Sequence, residues 1–167
     1  MKAVLALGTN LGDRAATLQT ALDGLVAQTE VVAVSAIYET APVGGPPQPD
    51  FYNAVVLVDT SLTATDLLSV AHSLEAAAGR VRFEHWGPRT LDVDLLAYGD
   101  ARSDDLDLTL PHPRAHERAF VVVPWLEIEP DGAVDGHGTL AELAAELGTD
   151  GVRRLDTPTL SISGVVT

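Results

Sequence analysis

The order in which strand and helix patterns follow one another is the feature that most constrains the fold of this chain. Residues 3–7 form a short apolar run, and residues 31–38 and 52–58 are rich in β-branched side chains, which is typical of strands. A fourth strand pattern covers residues 91–98. Apolar residues at helical spacing follow the first and third of these strands. The order β-α-β-β-α-β predicts an α+β fold with a ferredoxin-like antiparallel sheet and helices packed on it.

The helix boundaries and the remaining segments are predicted from capping and turn residues. Asp13 and Thr63 precede the two helical patterns as N-caps, and a capping box from Thr139 to Glu142 opens a third helix that ends at Gly148. Residues 106–110 alternate as in an edge hairpin, and a further helix is predicted over residues 114–123. These segments predict a C-terminal helical and hairpin extension. The 167 residues fit one domain, 1–167, with a weakly patterned and partly loose tail after residue 150.

Two irregular stretches interrupt the regular patterns. Residues 40–50 contain too many prolines and glycines for a helix or strand, and residues 80–89 also lack a regular period. Compact domains seldom keep loops of this length unless the loops bind a ligand or cover a site. We therefore expect both stretches to lie at the functional site.

Composition excludes several classes of protein. The chain has no cysteine, which excludes disulfide scaffolds, thiol nucleophiles and thiolate metal sites. Its net charge of −14 argues against nucleic acid and anionic membranes as partners, and it has no long apolar run, so a cytoplasmic protein is expected. Six of the ten lysines and arginines are nevertheless arginines between positions 80 and 118. Because arginine binds phosphate and carboxylate oxygens in pairs, this cluster indicates a small anionic ligand.

An Asp-x-Asp pair in the fourth strand is the strongest candidate for chemistry. Asp92 and Asp94 alternate with core residues, so they share one face with Cβ atoms roughly 7 Å apart. Two such carboxylates fit Mg²⁺, which takes one or two carboxylates and completes its shell with phosphates and water. The alternative is a strand whose polar face is only solvated, and the pair by itself favours that alternative. Arg89, three residues before Asp92, shifts the balance toward phosphoryl transfer.

Two other motifs have residue types that could bind a ligand. His112 and His116 have a spacing found in helical zinc sites, but no third ligand is evident, and phosphate contacts from His112 and Arg118 fit better than zinc. The alternative is a solvated helix start, which is equally compatible with this motif. The glycines at positions 8 and 12 match no nucleotide-binding loop pattern, so a tight turn is the better interpretation.

Taken together, these segments resemble the 6-hydroxymethyl-7,8-dihydropterin pyrophosphokinase family. The resemblance extends over nearly all of the chain up to residue 130, and its most specific block is Gly-Pro-Arg-Thr-Leu-Asp-Val-Asp at residues 87–94. It implies transfer of pyrophosphate from ATP to the pterin hydroxymethyl group, with release of AMP, in folate biosynthesis. It also implies two Mg²⁺ ions and ATP as co-substrate. We further expect a monomer whose partners are small molecules only.

The resemblance also implies a role for each site residue. The metal ligands would be Asp92 and Asp94, and the catalytic residues would be Arg80, Arg89, Asp92 and Asp94. ATP would be bound by His72, Glu75, Arg80, Arg82, Trp86, Arg89, Leu95, His112 and Arg118. The pterin would be bound by Thr40, Pro42, Val43, Phe51, Asn53, Trp86, Asp92 and Phe120, with Phe51 and Phe120 stacking on its two faces. The loops at 40–50 and 79–89 would close over the substrates and exclude water.

Two rival interpretations remain open at this point. A different Mg²⁺-dependent nucleotidyl or phosphoryl transferase could use the same aspartate pair and release ADP or inorganic pyrophosphate instead of AMP. A ferredoxin-like binding or regulatory module without turnover is the rival from another class. For His72 and Glu75, a solvated helix face is the alternative to a nucleotide contact.

Overall fold

A computed structural model describes residues 1–42, 44–79 and 90–163. The strands in the described part are β1 (Lys2–Thr9), β2 (Glu30–Val34), β3 (Tyr38–Thr40), β4 (Phe51–Asp59), β5 (Asp92–Tyr98), β6 (Ser103–Asp105), β7 (Leu108–Leu110), β8 (Ala133–Val134), β9 (Gly138–Thr139) and β10 (Val152–Arg154). The α-helices are α1 (Arg14–Gln28), α2 (Ala64–Ala77), α3 (Ala119–Ile128) and α4 (Leu140–Leu147), and a 3₁₀ turn covers Ala115–Glu117. Among these helices, none combines the length and apolar character that crossing a membrane requires.

The main sheet has the strand order β10-β3-β4-β1-β5, and β2 also pairs with β4. Every neighbouring pair in this sheet is antiparallel. If β2 and β3 are counted as one bent strand, the element order and pairing are those of a ferredoxin-like sheet. The predicted α+β fold is therefore confirmed, and α4 and the hairpins β6–β7 and β8–β9 form the expected extension.

The prediction of one continuous strand over residues 31–38 is wrong. The strand is interrupted between β2 and β3, where the Ser35 hydroxyl accepts a hydrogen bond from the Val55 backbone N–H (2.9 Å). The Ala36 N–H donates to the Glu127 carboxylate on α3 (2.9 Å) instead of to a neighbouring strand. Both strands pair with β4, so the segment bends while staying beside that strand. Side-chain partners of this kind are invisible to a local pattern.

Helices cover both faces of the sheet, and each face has its own apolar core. Leucines of α1 and the buried side of α2 pack with alternate residues of β1, β4 and β5, such as Leu5, Val56 and Val93. On the other face, α3 and α4 pack on the strand residues that alternate with these, such as Val4 and Val55. Because strand residues alternate between faces, Asp92 and Asp94 share the α3 face. The same face carries the functional cavity described below.

The helix starts at Asp13, Thr63 and Thr139 are confirmed, and the Thr139–Glu142 capping box is present. The predicted helix over residues 114–123 is confirmed from residue 119 onward and is wrong before it. The chain instead forms the 3₁₀ turn, and Arg118 has an extended backbone before α3 begins at Ala119. The helix then continues to Ile128 with Pro124 inside it. The 3₁₀ turn and the bend at Arg118 direct several charged side chains toward the cavity.

The tail also differs from the loose segment expected after residue 150. β10 extends the main sheet by pairing with β3, with Val152 opposite Thr40. The Leu155 N–H donates to the Ile37 carbonyl (2.8 Å), and its side chain is buried in the core. Further on, Ser161 and Gln19 of α1 exchange hydrogen bonds of 2.9 and 3.0 Å. This pairing joins residues more than 100 positions apart, and no local pattern contains it.

Candidate active site

A cavity of about 560 Å³ opens on the α3 face of the main sheet. Its floor is formed by β1, one side by β3, β4 and β10, and the other by β5, the 3₁₀ turn and the start of α3. The lining residues are Ala6, Leu7, Gly8, Thr40, Ala41, Pro42, Phe51, Asn53, Asp92, Asp94, Arg114, Glu117, Arg118, Ala119, Phe120, Val121, Asp150, Gly151 and Val152. The cavity thus brings together residues predicted for the metal, for ATP and for the pterin.

One side of the cavity, the neutral wall, consists of Thr40, Phe51 and Asn53. The Asn53 Nδ2 donates to the Thr40 hydroxyl oxygen at 2.9 Å, and both residues are buried. Thr40 of β3 lies opposite Phe51 of β4 in the strand register. A buried amide held by a neighbouring hydroxyl has a fixed orientation before any ligand arrives, because rotation would break its hydrogen bond.

Gly8 determines how closely this wall approaches the floor. It pairs with Asn53 on one side and with Asp92 on the other. A Cβ atom at position 8 would lie 3.1 Å from the Asn53 Oδ1. Glycine therefore leaves the room that the Asn53 carboxamide occupies, and this is a better account of Gly8 than the tight turn inferred from the sequence.

The opposite side, the charged wall, consists of Asp92, Asp94 and Arg118. Asp92 and Asp94 lie on the same face of β5 and are both partly exposed to the cavity. An Arg118 Nη1 lies 3.8 Å from the Asp94 Oδ2, with side-chain exposures of 28% and 41%. The Arg118 guanidinium also lies 5.7 Å from the centre of the Phe120 ring. Such an exposed and loose ion pair contributes little stability, so Arg118 can change partners at small cost.

His112 lies near Asp94 and Arg118 but is not among the residues that line the cavity. Its backbone N–H donates to the Leu96 carbonyl (2.9 Å), and its Nδ1 accepts from the Arg114 backbone N–H (3.2 Å). Because Nδ1 is an acceptor, the neutral ring carries its proton on Nε2. Burial lowers the pKa of His112 below its usual value, Arg118 and Arg114 act in the same direction, and Asp94 opposes them. Near neutral pH the ring is therefore an uncharged N–H donor.

Several predicted site residues do not line the cavity. Leu95 is buried in the core on the α1 and α2 face of the sheet, and His72 and Glu75 lie on α2, which packs on that same face. His72 is exposed and Glu75 is buried. Their predicted ATP contacts stay predictions. Val43, Arg80, Arg82, Trp86 and Arg89 lie outside the described residues, and their roles also stay predictions.

The sequence did not identify the cavity lining contributed by Arg114, Glu117 and the segment 150–152. Arg114 belongs to the arginine cluster, which is the one signal that could have included it. The Glu117 carboxylate lies 3.7 Å from the Arg114 Nε, so the two form an ion pair at the edge of the cavity. Asp150 and Gly151 reach the cavity only because β10 pairs with β3.

The fold and the site together define a class of protein. A ferredoxin-like sheet that carries an acidic pair beside arginine and histidine groups, with a neutral amide pocket next to them, has the side chains that an enzyme of group transfer between two such substrates would need. Its charged side suits a phosphate-bearing substrate, and its neutral side suits a flat polar one.

Comparison with known proteins identifies the family. The model of the 7,8-dihydro-6-hydroxymethylpterin-pyrophosphokinase (HPPK) family matches residues 4–130. The 2-amino-4-hydroxy-6-hydroxymethyldihydropteridine pyrophosphokinase of Methylorubrum extorquens is 48% identical over 157 residues, covering 93% of this chain and 99% of that protein. The protein of the same name from Pseudomonas aeruginosa is 40% identical over 153 residues, covering 90% and 94%. The chain therefore belongs to the HPPK family.

A solved structure supports the fold. The crystal structure of a triple mutant of Plasmodium falciparum HPPK-DHPS with pteroate superimposes with a TM-score of 0.72 at 16% sequence identity. The match covers 92% of this chain and 46% of that one, so this chain spans a little less than half of the Plasmodium chain. At this level of sequence identity, the likeness concerns the fold alone.

Proposed function

We propose that this protein transfers the pyrophosphoryl group of ATP to the hydroxymethyl oxygen of 6-hydroxymethyl-7,8-dihydropterin and releases AMP, in folate biosynthesis. The observation that carries the proposal is a cavity that joins the Asp92–Asp94 pair to the Thr40–Asn53 pair. Membership of the HPPK family supports the reaction and both substrates.

The neutral wall suits the pterin. A reduced pterin is flat and has a pyrimidine edge that both donates and accepts hydrogen bonds, which a carboxamide and nearby backbone groups can satisfy. Asn53 and the backbone at Thr40 and Pro42 would bind that edge, and the rings of Phe51 and Phe120 would stack on its faces. An alcohol without this edge would leave the buried Asn53 amide poorly paired, which is how such a pocket rejects it.

The charged wall suits a divalent cation and a polyphosphate. The donor set of Asp92 and Asp94 fits Mg²⁺, because this ion uses one or two carboxylates and obtains its other oxygens from phosphates and water. Asp92 and Asp94 would hold two Mg²⁺ ions, whose chemistry is to offset the negative charge of the triphosphate. Arg118 would exchange Asp94 for a phosphate oxygen, and the Nε2–H of neutral His112 would donate a further hydrogen bond.

The reaction is a displacement at the β-phosphorus. The pterin hydroxymethyl oxygen bonds to this phosphorus and releases its proton to solvent. The bond from the β-phosphorus to the oxygen that bridges to the α-phosphate breaks, and AMP leaves with that oxygen. The two walls place the hydroxyl and the triphosphate in one cavity, which is catalysis by position and by charge stabilisation. Arg80 and Arg89 would stabilise the leaving charge, and the loops at 40–50 and 79–89 would exclude water.

The same proposal includes the organisation of the protein. The chain acts as one domain over residues 1–167, works in the cytoplasm as a monomer, and binds ATP and the pterin as its only partners. Its net charge of −14 supports the absence of nucleic acid and anionic membranes from this set.

One assay tests the function. The full-length protein is incubated with ATP, Mg²⁺ and 6-hydroxymethyl-7,8-dihydropterin, and AMP, ADP and inorganic pyrophosphate are separated and measured. Pterin-dependent AMP in equal amount to pyrophosphorylated pterin is expected. ADP or pyrophosphate as the product would indicate another transferase, and no turnover with retained pterin binding would indicate a binding module. Either result would reject the proposal.

A further inference from the structure

Arg14 makes an unusual set of contacts for the first residue of a surface helix. Its guanidinium lies over the Tyr52 ring at 3.8 Å from the ring centre. Its Nη1 donates to the Asp50 backbone carbonyl at 2.8 Å and lies 3.4 Å from the Glu39 Oε2. The Arg14 side chain is only 26% exposed. Arginine can combine a stacked contact with in-plane hydrogen bonds because its charged group is planar.

These contacts lie directly behind the neutral wall. Tyr52 sits between Phe51 and Asn53 in β4, and Glu39 immediately precedes Thr40 in β3. Glu39 and Tyr52 are also opposite each other in the strand register. Because successive strand residues point to opposite faces, the contacts of Arg14 are on the α1 face while Thr40, Phe51 and Asn53 face the cavity.

The hydrogen bond to Asp50 acts on the backbone of the wall itself. Asp50 immediately precedes β4, and its carbonyl belongs to the peptide group that joins it to Phe51. Holding this carbonyl fixes the plane of that peptide and so the direction in which the Phe51 side chain leaves the backbone. Glu39 also forms an ion pair with Arg153 of β10. The contacts of Arg14 are therefore connected to β10, which lies beside the cavity together with β3 and β4.

We infer that Arg14 is a positioning residue for pterin binding. It acts through the Asp50–Phe51 peptide and the Tyr52 ring, it does not contact the substrates, and it sets where the Phe51 ring presents its face. The inference rests on the proposed function, since it concerns the pterin side of that site. The inference goes beyond the proposed function because it assigns part of the pterin affinity to a residue on the face of the sheet opposite the cavity.

The first test compares two replacements of Arg14. Binding of 6-hydroxymethyl-7,8-dihydropterin is measured calorimetrically with α,β-methylene-ATP and Mg²⁺ present. Arg14→Met keeps the length but loses the charge and the donors, and should raise the pterin Kd about tenfold, the size of one lost charged hydrogen bond. Arg14→Lys keeps the charge and a donor and should raise it only about threefold. Affinity for the ATP analogue should change less than about twofold in both.

Arg102→Met is the matched control. Arg102 pairs with Asp135 at 2.7 Å, is 72% exposed, and is not among the residues lining the cavity. This variant should bind pterin and nucleotide like the wild-type protein. Thermal denaturation of all variants separates a change in the site from a general loss of folded protein.

A double-mutant cycle with Phe51→Leu decides whether Arg14 acts through Phe51. If it does, adding Arg14→Met to the Phe51→Leu variant should raise the pterin Kd by clearly less than the tenfold increase that Arg14→Met causes in the wild-type protein. A full tenfold loss in that background, or an equal loss of nucleotide affinity, would overturn the inference. If the wild-type protein makes no pterin-dependent AMP, the proposed function fails. If the wild-type protein makes this AMP and the Arg14→Met variant binds pterin normally, only the inferred role of Arg14 fails.

Discussion

The two walls of the cavity are built on different physical principles. In the neutral wall, Asn53 and Thr40 are 6% and 7% exposed and are already joined by one hydrogen bond of 2.9 Å. In the charged wall, Asp94 is 41% exposed and its contact with Arg118 is a loose 3.8 Å. A buried and paired amide is rigid before binding, whereas exposed charges become ordered only when a ligand supplies the opposite charge. The neutral wall therefore selects by shape and hydrogen bonding, and the charged wall works through the cations and phosphates that it binds.

The largest expected effect separates the two walls directly. Asp94→Asn removes a carboxylate from the charged wall with almost no change in shape. Turnover should fall by about 10³-fold, because the lost charge is needed where the triphosphate is held. Pterin affinity should change less than about threefold, since the neutral wall is intact. Steady-state AMP formation and direct pterin binding are the two measurements.

Asp104→Asn is the control for that substitution. Asp104 is an exposed acid of the β6–β7 hairpin and is not among the cavity-lining residues. Its loss changes the net charge by the same amount and should leave turnover unchanged. Normal turnover in Asp94→Asn would remove the metal role from this wall.

The second effect tests the neutral wall. Asn53→Ala removes the carboxamide and leaves the Thr40 hydroxyl without this donor. The kcat/KM for the pterin should fall about 10²-fold, in line with a lost buried hydrogen-bonding group, while KM for ATP should stay within about threefold. Thr40→Ser, which keeps the hydroxyl, should retain most of the activity. Equal losses for both substrates in Asn53→Ala would show that the two walls do not act separately.

The sequence predicts the charged wall better than the neutral one, and the reason is physical. Asp92 and Asp94 are two residues apart on one strand, so strand alternation alone places them together. Thr40, Phe51 and Asn53 become neighbours only through the pairing of β3 with β4, and their role came from family resemblance. Arg114, Glu117 and the 150–152 segment were missed because a 3₁₀ turn and a distant edge strand bring them to the cavity.

In the fold, too, features formed by residues close in sequence were predicted, and features that depend on distant residues were not. Caps such as Thr63 and Thr139 were predicted because a side chain and a backbone N–H three residues away suffice to form them. The break between β2 and β3 was not predicted, because it depends on Glu127 of α3 accepting from Ala36. The same carboxylate accepts from the Tyr38 hydroxyl at 2.7 Å. No pattern within residues 31–38 contains this partner, which lies about 90 positions away.

The third effect is smaller and concerns the spacing of the neutral wall. Gly8→Ala would place a Cβ atom 3.1 Å from the Asn53 Oδ1, so the carboxamide must move by a few tenths of an ångström. Pterin affinity should fall about threefold with little change in nucleotide affinity. Pterin titration calorimetry gives the affinity, and the Tm gives the accompanying change in stability.

Gly136→Ala is a control that should change stability but not pterin affinity. Gly136 has a φ of +82°, and within the described part of the chain no heavy atom beyond the glycine and its two chain neighbours lies within 4 Å of the place that a Cβ atom would take. Alanine there is therefore strained in its backbone but meets no neighbour. It should lower the free energy of unfolding by about 1 kcal/mol and leave pterin affinity unchanged. Unchanged pterin binding in Gly8→Ala would mean that the Asn53 side chain tolerates displacement and that the wall is less rigid than its hydrogen bond indicates.

The smallest expected effect is a pH dependence that originates at His112, next to the charged wall. The pKa of His112 is lowered from its ordinary value of 6.5, chiefly by burial. The folded protein therefore binds this proton less readily than the unfolded chain, and stability falls as the pH drops through 6.5 toward the lower pKa of the folded state. His112→Asn keeps an acceptor for the Arg114 N–H but cannot take up a proton, so its stability should decline less between about pH 7.5 and about pH 5.5. Urea unfolding of both proteins at the two pH values measures the difference, and an identical decline would show that His112 is protonated as easily in the folded protein as in the unfolded chain.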